Sequence, residues 1–262
     1  LIDSEFRRFL DVAMDAAGSA TAYISEESEK VRQIKFKGAS DLVTQADRGS
    51  EEIILNEIKN HFPDHNILTE ESEGQSTESL YTWIIDPLDG TTNFVHGYPF
   101  YAVSIAVFNN GSPIVGVIVD IHRKHTYHAV IGEGAFRNDK PINVSETNRV
   151  EHSLFATGFP YIHDELWAKN FEYMKAFTDI GQGVRLAGTA SIDLAHIACG
   201  WLDGFWEVGL HPWDTAAGIL LISEAGGQVT KMDGREFSIF DNQICASNRI
   251  IHSNMLNLFK ET

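Results

Sequence analysis

An α+β chain with two unlike lobes is the fold class this sequence predicts: a mostly antiparallel sheet covered by helices, then a lobe in which strands and helices alternate. Three observations carry that expectation. The stretch before Pro63 has helical periodicity, residues 81–147 hold β-rich runs separated by turn residues, and from about residue 144 short strands and helices take turns. The lobes are expected to divide as 1–143 and 144–262.

The elements follow in chain order. Phe6, Phe9, Leu10, Ala13, Met14 and Ala17 recur at helical spacing behind Ser4, a suitable N-cap, so a helix is expected over 4–24. Residues 25–40 are polar, carry Lys30, Lys35 and Lys37, and close on Gly38-Ala39-Ser40; they read as a hairpin or loop. A second helix is expected over 47–61, with Ile54, Leu55, Ile58 and Phe62 turned inward and Pro63 ending it. Asn66-Ile67-Leu68 forms a short strand that delivers Glu70 and Glu71. The β-rich runs 101–108 and 114–119 flank Asn109-Asn110-Gly111-Ser112-Pro113, a hairpin turn by composition, and 126–131 continues the pattern. Beyond these come strands at 153–157, 184–186 and 204–207, helices at 165–177, 190–199 and 213–225, and a final strand and helix. The third of those helices is expected to open at Asp214. No linker, repeat or low-complexity tract interrupts the chain. Gly181-Gln182-Gly183 fails as a dinucleotide fingerprint, because Leu186 stands where a third glycine belongs.

Composition narrows the function. With 262 residues, 43% of them hydrophobic and 22% charged, the chain can build a substantial enzyme-sized core. A net charge of −17 argues against nucleic acid as a main partner and against an anionic membrane surface. It does not exclude an anionic substrate, provided bound cations reverse the local sign. Cys199 and Cys245 read as reduced thiols, and neither has a Cys or His at zinc-ligand spacing. No apolar run approaches the ~20 residues that span a bilayer. The opening Leu1-Ile2-Asp3-Ser4 does not read as a signal peptide, and the expected compartment is cytoplasmic.

The stretch Trp83-Ile84-Ile85-Asp86-Pro87-Leu88-Asp89-Gly90-Thr91-Thr92-Asn93-Phe94 is the most informative in the chain. An apolar strand runs into two aspartates three positions apart, and a glycine and two hydroxyl residues follow. Asp86 is costly to bury there unless a cation or hydrogen bonds compensate it. Oxygen-only donors suit hard cations such as Mg²⁺. Gly90-Thr91-Thr92 can turn N–H groups and hydroxyls toward an anion. A cation site beside an anion site points to chemistry on a phosphate.

Other carboxylates also stand at element ends: Glu70-Glu71 after a strand, Asp214 at a helix start, and Asp41 and Asp47 in Lys37-Gly38-Ala39-Ser40-Asp41-Leu42-Val43-Thr44-Gln45-Ala46-Asp47. Singly, each has a plainer explanation. Asp47 and Asp214 favour a helix macrodipole, Glu70-Glu71 fits a solvated turn, and Asp86 to Gly90 fits a turn. Together they do not, because two carboxylates ~4 Å apart repel by about 4 kcal/mol at an effective dielectric near 20. Four or five can gather only around cations. Two or three Mg²⁺ ions would offset that repulsion, acidify a bound water and clamp a phosphoryl group.

On these residues the chain resembles the inositol monophosphatase family, part of a wider group of magnesium-dependent, lithium-sensitive phosphatases that includes fructose-1,6-bisphosphatase. The first family signature matches Trp83 to Asn93, and the second matches Trp213-Asp214-Thr215-Ala216-Ala217-Gly218 with Glu224-Ala225-Gly226-Gly227. Asp41-Leu42-Val43-Thr44 to Asp47, Thr69-Glu70-Glu71-Ser72 and Gly188-Thr189-Ala190-Ser191 support it. Pro212 before Trp213 is a variation on the pattern. The resemblance implies a layered α-β-α-β-α sandwich, like that of fructose-1,6-bisphosphatase.

It also implies roles. Asp86 would bridge two metals, with Glu70 and the Leu88 carbonyl completing the first site and Asp89 and Asp214 the second. A third ion would share Glu70. Thr91, bonded to Asp47, would orient the attacking water, and the amides of Gly90 and Thr91, with Thr92, would hold phosphate. Glu207, Asp89 and the Ala190 backbone would meet substrate hydroxyls. Glu71 would order metal-bound water, and Lys37 would sit on a segment folding over the site. Mg²⁺ is the expected cofactor, with Mn²⁺ as a substitute and Li⁺ and Ca²⁺ as inhibitors. A homodimer follows from the resemblance alone.

The expected reaction is hydrolysis of a small phosphorylated polyol, sugar or nucleotide, myo-inositol monophosphate first. The alternatives are the 2′-phosphate of NADP⁺, a 3′-phosphonucleotide, fructose 1,6-bisphosphate and histidinol phosphate. A bisphosphate would need extra cationic side chains, for which Arg185 is the one nearby candidate. A reading of another class is a regulatory binding protein. His122, His125 and His128 are spaced by three in or beside a strand, where that spacing alternates faces, and are expected to be exposed or hairpin histidines rather than metal ligands. His211 suits either substrate contact or packing. Trp213 is expected to position Asp214. Tyr98, Phe100 and Tyr101 suit the core or a subunit contact.

Overall fold

The computed structural model describes residues 4–31, 45–160 and 163–262. Five layers run α-β-α-β-α, as the resemblance implies.

Helices α1 (Ser4–Val31) and α2 (Gln45–His61) cover one face of a seven-stranded sheet. Its strands β1 (Asn66–Thr69), β2 (Tyr81–Asp89), β3 (Ala102–Asn109), β4 (Ser112–Asp120), β5 (His125–Val130), β6 (Ala135–Arg137) and β7 (Lys140–Ile142) lie in sequence order. β1 is parallel to β2, and every other pairing is antiparallel. Between β2 and β3 lies the short helix α3 (Thr91–His96).

The second sheet has the order β11-β12-β10-β8-β9, from β8 (Phe155–Thr157), β9 (Val184–Arg185), β10 (Gly204–Val208), β11 (Gln228–Thr230) and β12 (Gln243–Ser247). Helices α5 (Ala190–Ala198) and α6 (Pro212–Glu224) form the middle layer, with α6 against β2, β3 and β4 and α5 against β8, β10 and β12. Helices α4 (Glu165–Ile180) and α7 (His252–Glu261) pack on the outer side.

Covering both faces explains why β2, β3 and β4 read as unbroken apolar runs rather than alternating ones. Along β2, Trp83 and Ile85 enter the core under α1 and α2, while Ile84 enters the core with α5 and α6. The two-residue period therefore aims Asp86 at the middle layer. Register with β3 breaks between Asp86 and Asp89, a bulge where the aspartates leave the sheet.

Five elements differ from the sequence expectation. α1 continues to Val31, so part of the expected loop over 25–40 is helix; the remainder, with Lys35 and Lys37, lies outside the described residues. Apolar periodicity stops at Ile24, but Glu26, Glu27 and Glu29 are good helix formers, and Ser25 Oγ donates to Thr21 O at 2.8 Å. α6 opens at Pro212 with His211 as its cap, so Asp214 sits two residues inside the helix. Strands β6, β7 and β11 are shorter than periodicity can detect. Among the described residues no helix is long and apolar enough to cross a membrane.

Candidate active site

The ends of β1 and β2 and the start of α6 meet on one side of the first sheet. β1 ends at Thr69 and releases Glu70, which is exposed at the rim. Asp86 and Asp89 are buried at the end of β2, and Asp214 is half-buried in the first turn of α6. Asp214 closes a capping box, its Oδ2 accepting the His211 N–H at 2.6 Å. Asp86 Oδ1 accepts the Leu88 N–H at 3.0 Å, which curls the chain so that the next residues turn into α3.

One face of α2 organises these loops. Asp47 Oδ1 lies 2.8 Å from Thr91 Oγ1, which is also 3.1 Å from the Leu88 carbonyl. Ser50 Oγ donates to the Pro87 carbonyl at 2.7 Å. Glu51 Oε1 accepts from Thr69 Oγ1 at 2.6 Å and from the Glu71 N–H at 3.2 Å. Spacing i, i+3, i+4 puts all three on one side of the helix. A second brace comes from α5: Asp89 Oδ2 accepts the Ser191 N–H at 2.8 Å and the Ser191 hydroxyl at 2.5 Å. Asn93 Nδ2 donates to Phe100 O and Ala187 O, both at 2.8 Å, tying α3 to the approach of α5. Gly90 has φ +90°, and a Cβ there would fall on Thr189 Oγ1 and Phe100 O, so only glycine makes this turn.

The electrostatics are those of acids crowded together. Burial pushes Asp86 well above the usual carboxylate range, and Glu70, Asp89 and Asp214 add to it. Asp214 is raised by burial, then by Asp89 and Glu70, against the opposing His211 bond. Asp89 is raised to about 6 by burial, although both Ser191 bonds pull it down. Glu70 keeps contact with solvent, yet protein flanking it, then Glu71 and Asp89, raise it to about 7. Among the described residues none of these four pairs with Lys, Arg or His.

Of the residues expected to meet substrate, Ala190 is buried at the first turn of α5, and Glu207 projects from β10. Burial, then Asp214, Asp193 and Asp89, hold Glu207 well above its ordinary value. Thr92 is exposed on α3, and Glu71 is half-buried beside Glu70. Arg185 is exposed on edge strand β9, its Nη1 facing Gly183, and makes no ion pair among the described residues. Lys37 and Asp41 lie outside the described residues.

Other candidates fall away. His128 is a hairpin histidine, paired across to Phe136, and it is buried rather than exposed, stacked on that ring at 5.2 Å with Nε2 3.4 Å from Asp139. Hairpin β5–β6 folds Phe136 over it, a contact that spacing along one strand does not reveal. His211 stacks on Trp213 at 5.0 Å, a packing contact. Cys199 and Cys245 are free thiols, both pushed up by burial, Cys199 to about 11. The sequence reading gave no role to Ser50, Glu51 and Asp193, nor to Ser191, which it held only as part of a supporting motif. Asp193, on α5, is buried and raised well above its usual value by burial and then Asp89.

The donor set decides what the cleft can hold. Among the described residues no three Asp, Glu, His or Cys side chains already ring one point at metal-ligand geometry. The fit rests on donor type: oxygen-only, acidic and without protein counter-charges. That combination suits hard divalent cations that keep some water and complete their coordination with substrate oxygens.

Comparison with known proteins agrees with this chemistry. The family model described as "Inositol monophosphatase family" matches residues 5–262. The chain is 46% identical over 255 residues to a protein of Arabidopsis thaliana named "Phosphatase IMPL1, chloroplastic", covering 94% of this chain and 68% of that one. It is 44% identical over 255 residues to the inositol-1-monophosphatase of Synechocystis sp., covering 96% and 88%. The solved structure of inositol monophosphatase from Anabaena (Nostoc) sp. superposes with a TM-score of 0.89 at 41% identity, covering 99% of this chain and 98% of that one.

Proposed function

The chain belongs to the inositol monophosphatase family of metal-dependent phosphoric monoester hydrolases, and on that premise we propose that it uses Mg²⁺ to hydrolyse myo-inositol monophosphate or a closely similar polyol phosphate. The observation that carries the reading is the meeting of Glu70, Asp86, Asp89 and Asp214, all raised by burial and, for Glu70, Asp86 and Asp214, further by neighbouring acids, beside the Thr91–Asp47 pair. Two or three Mg²⁺ ions are assigned to Glu70, Asp86, the Leu88 carbonyl, Asp89 and Asp214, with Mn²⁺ as a substitute and Li⁺ and Ca²⁺ as inhibitors. Bound there, the cations supply charge neutralisation, a more acidic water and polarisation of the phosphoryl oxygens.

The chain's own groups do the positioning. Asp47 takes the Thr91 hydroxyl hydrogen, which leaves a Thr91 lone pair to accept from a water. Glu70 accepts the water's second hydrogen, and Glu71 keeps the neighbouring solvent ordered. The amides that open α3 precede its first internal bond, Phe94 N–H to Gly90 O at 3.0 Å, so Gly90, Thr91 and Thr92 can receive phosphate oxygens. Water adds to phosphorus in line with the departing ester oxygen, its proton passing to Glu70 as the new P–O bond forms and the ester P–O bond breaks; the ester oxygen takes a proton from a solvent water and leaves as the alcohol. Glu207, Asp89 and the Ala190 backbone hold the alcohol's hydroxyls. Arg185 is assigned to any second phosphate.

We further take residues 1–143 and 144–262 as working lobes, the second contributing Asp214 and Glu207. We take a cytoplasmic homodimer as the working unit on the family resemblance alone, and light scattering checks it. The activity test is a phosphate-release screen over inositol phosphates, NADP⁺, a 3′-phosphonucleotide, fructose 1,6-bisphosphate and histidinol phosphate, with Mg²⁺, with chelator and with Li⁺. Release that requires Mg²⁺ and favours the inositol esters supports the assignment. Release indifferent to chelation sinks it.

A further inference from the structure

Glu207 reaches the cleft because β10 alternates its side chains. Trp206 turns to the outer face of the second sheet, where Phe177 stacks on it at 4.3 Å. Glu207 turns the other way, toward Asp214, Asp193 and Asp89. One amide on the outer face holds this arrangement. Asn170 of α4 is fully buried. Its Nδ2 donates to Gly158 O at 2.7 Å, and its Oδ1 accepts from Trp206 Nε1 at 2.7 Å.

Those two partners bracket the carboxylate. Trp206 immediately precedes Glu207, and its partner across the sheet is Thr157, the residue before Gly158. The Glu207 carboxylate lies so close over the Gly158 backbone that a Cβ at position 158 would fall on it.

We propose that Asn170 is a positioning residue for substrate selection. By joining the Gly158 carbonyl to the Trp206 indole it fixes the ends of β8 and β10 relative to each other, and so holds the Glu207 carboxylate where polyol hydroxyls meet it. Asparagine suits the task because one planar group supplies both the donor and the acceptor. Gly158 supplies the space. The inference rests on the reading of Glu207 as the hydroxyl acceptor and extends it to the residues behind it.

The experiment compares two esters on the Mg²⁺-loaded full chain. One is myo-inositol 1-phosphate, whose leaving group offers hydroxyls. The other is 4-nitrophenyl phosphate, whose leaving group offers none. In Asn170→Ala and Trp206→Phe, each with native circular dichroism, KM for the inositol ester is expected to rise about 10-fold, while kcat and KM for the aryl ester move less than about 2-fold. Trp206→Phe keeps one aromatic ring against Phe177 and removes the N–H together with the rest of the indole, so it decides the question, if Asn170→Ala does not fold, once its thermal melt shows the core intact. Gly158→Ala should give the same split by displacing the carboxylate. Equal losses on both esters, or no change on either, overturn the inference and leave the phosphatase reading standing. A wild-type protein with no preference for the polyol ester removes the Glu207 reading and the inference together.

Discussion

Stripped of cations, the folded chain should lose stability as pH rises from about 4 to about 7, and Asp89 sets the scale. Its carboxyl is buried, receives two Ser191 bonds, and is still raised from 3.8 to about 6 by loss of water. An acid whose folded pKa exceeds its unfolded value binds more protons folded than unfolded. Its stabilising contribution is full below the unfolded value and lost as pH climbs through the folded one. Two pKa units correspond to about 3 kcal/mol. In a chain of this size that is roughly 6–12 °C in Tm. Asp86 and Asp214 are also raised and act in the same sense. A divalent cation at about a hundred times its Kd returns about 2.7 kcal/mol, enough to offset the Asp89 cost. The assay is a series of thermal melts across that range in chelator and in Mg²⁺, for wild type and Asp89→Asn. The variant removes the titrating charge and keeps an oxygen for Ser191. In chelator at neutral pH it should melt above wild type with a flatter pH slope, and Mg²⁺ should stabilise it far less. Identical slopes for the two proteins in chelator would show the reasoning to be wrong.

Other substitutions test neighbouring parts of the site. Asp86→Asn should cut kcat by at least ~10³-fold, about 4 kcal/mol, with the melting transition retained; a near wild-type rate in Mg²⁺ refutes its assignment. Thr91→Val should lower kcat by about 10²–10⁴-fold, while Thr91→Ser, which keeps the hydroxyl, stays within about 10-fold; steady-state kinetics separate them. Glu51→Ala leaves the Thr69 hydroxyl and Glu71 N–H without their acceptor. It should cost about 1–3 kcal/mol in denaturant unfolding and weaken Mg²⁺ binding about 10–100-fold by calorimetry.

How much of this was legible in the sequence depended on whether a role sat in one contiguous stretch. Asp86, Asp89, Gly90 and Thr91 share a run in which strand, bulge and helix start follow one another, so spacing alone marks it. Asp214 and Glu70 were legible as acids at element ends, although the sequence put Asp214 at the helix opening and not inside a capping box. Ser50, Glu51, Ser191 and Asn170 were not legible. Each acts on a residue far away in the chain, as Ser191 does on Asp89, and a serine or asparagine carries no local mark of a distant partner. The layered fold was legible only through the family resemblance. The periodicities told helix from strand, but could not say that α5 and α6 would slide between two sheets, since a helix buried on both sides has little amphipathic contrast.

The same layering explains how mutually repelling acids are kept close. The apolar layers on either side of β2 hold Asp86 in place, because Trp83 and Ile85 anchor one face and Ile84 the other. The acids sit at the end of that strand, where the register breaks and the chain is free to turn. Holding them by their own loops would leave geometry to flexible segments. Instead α2 reaches the end of β1 with Glu51 and the β2–α3 stretch with Asp47 and Ser50, and α5 reaches that stretch again at Asp89 with Ser191. Rigid helices thus fix the carboxylates' approach, and the crowding energy is stored in a scaffold that cannot relax by moving a loop. That stored repulsion is what makes cation binding favourable. A fold that let the acids drift apart would be easier to keep stable without metal, and correspondingly weaker at gathering it.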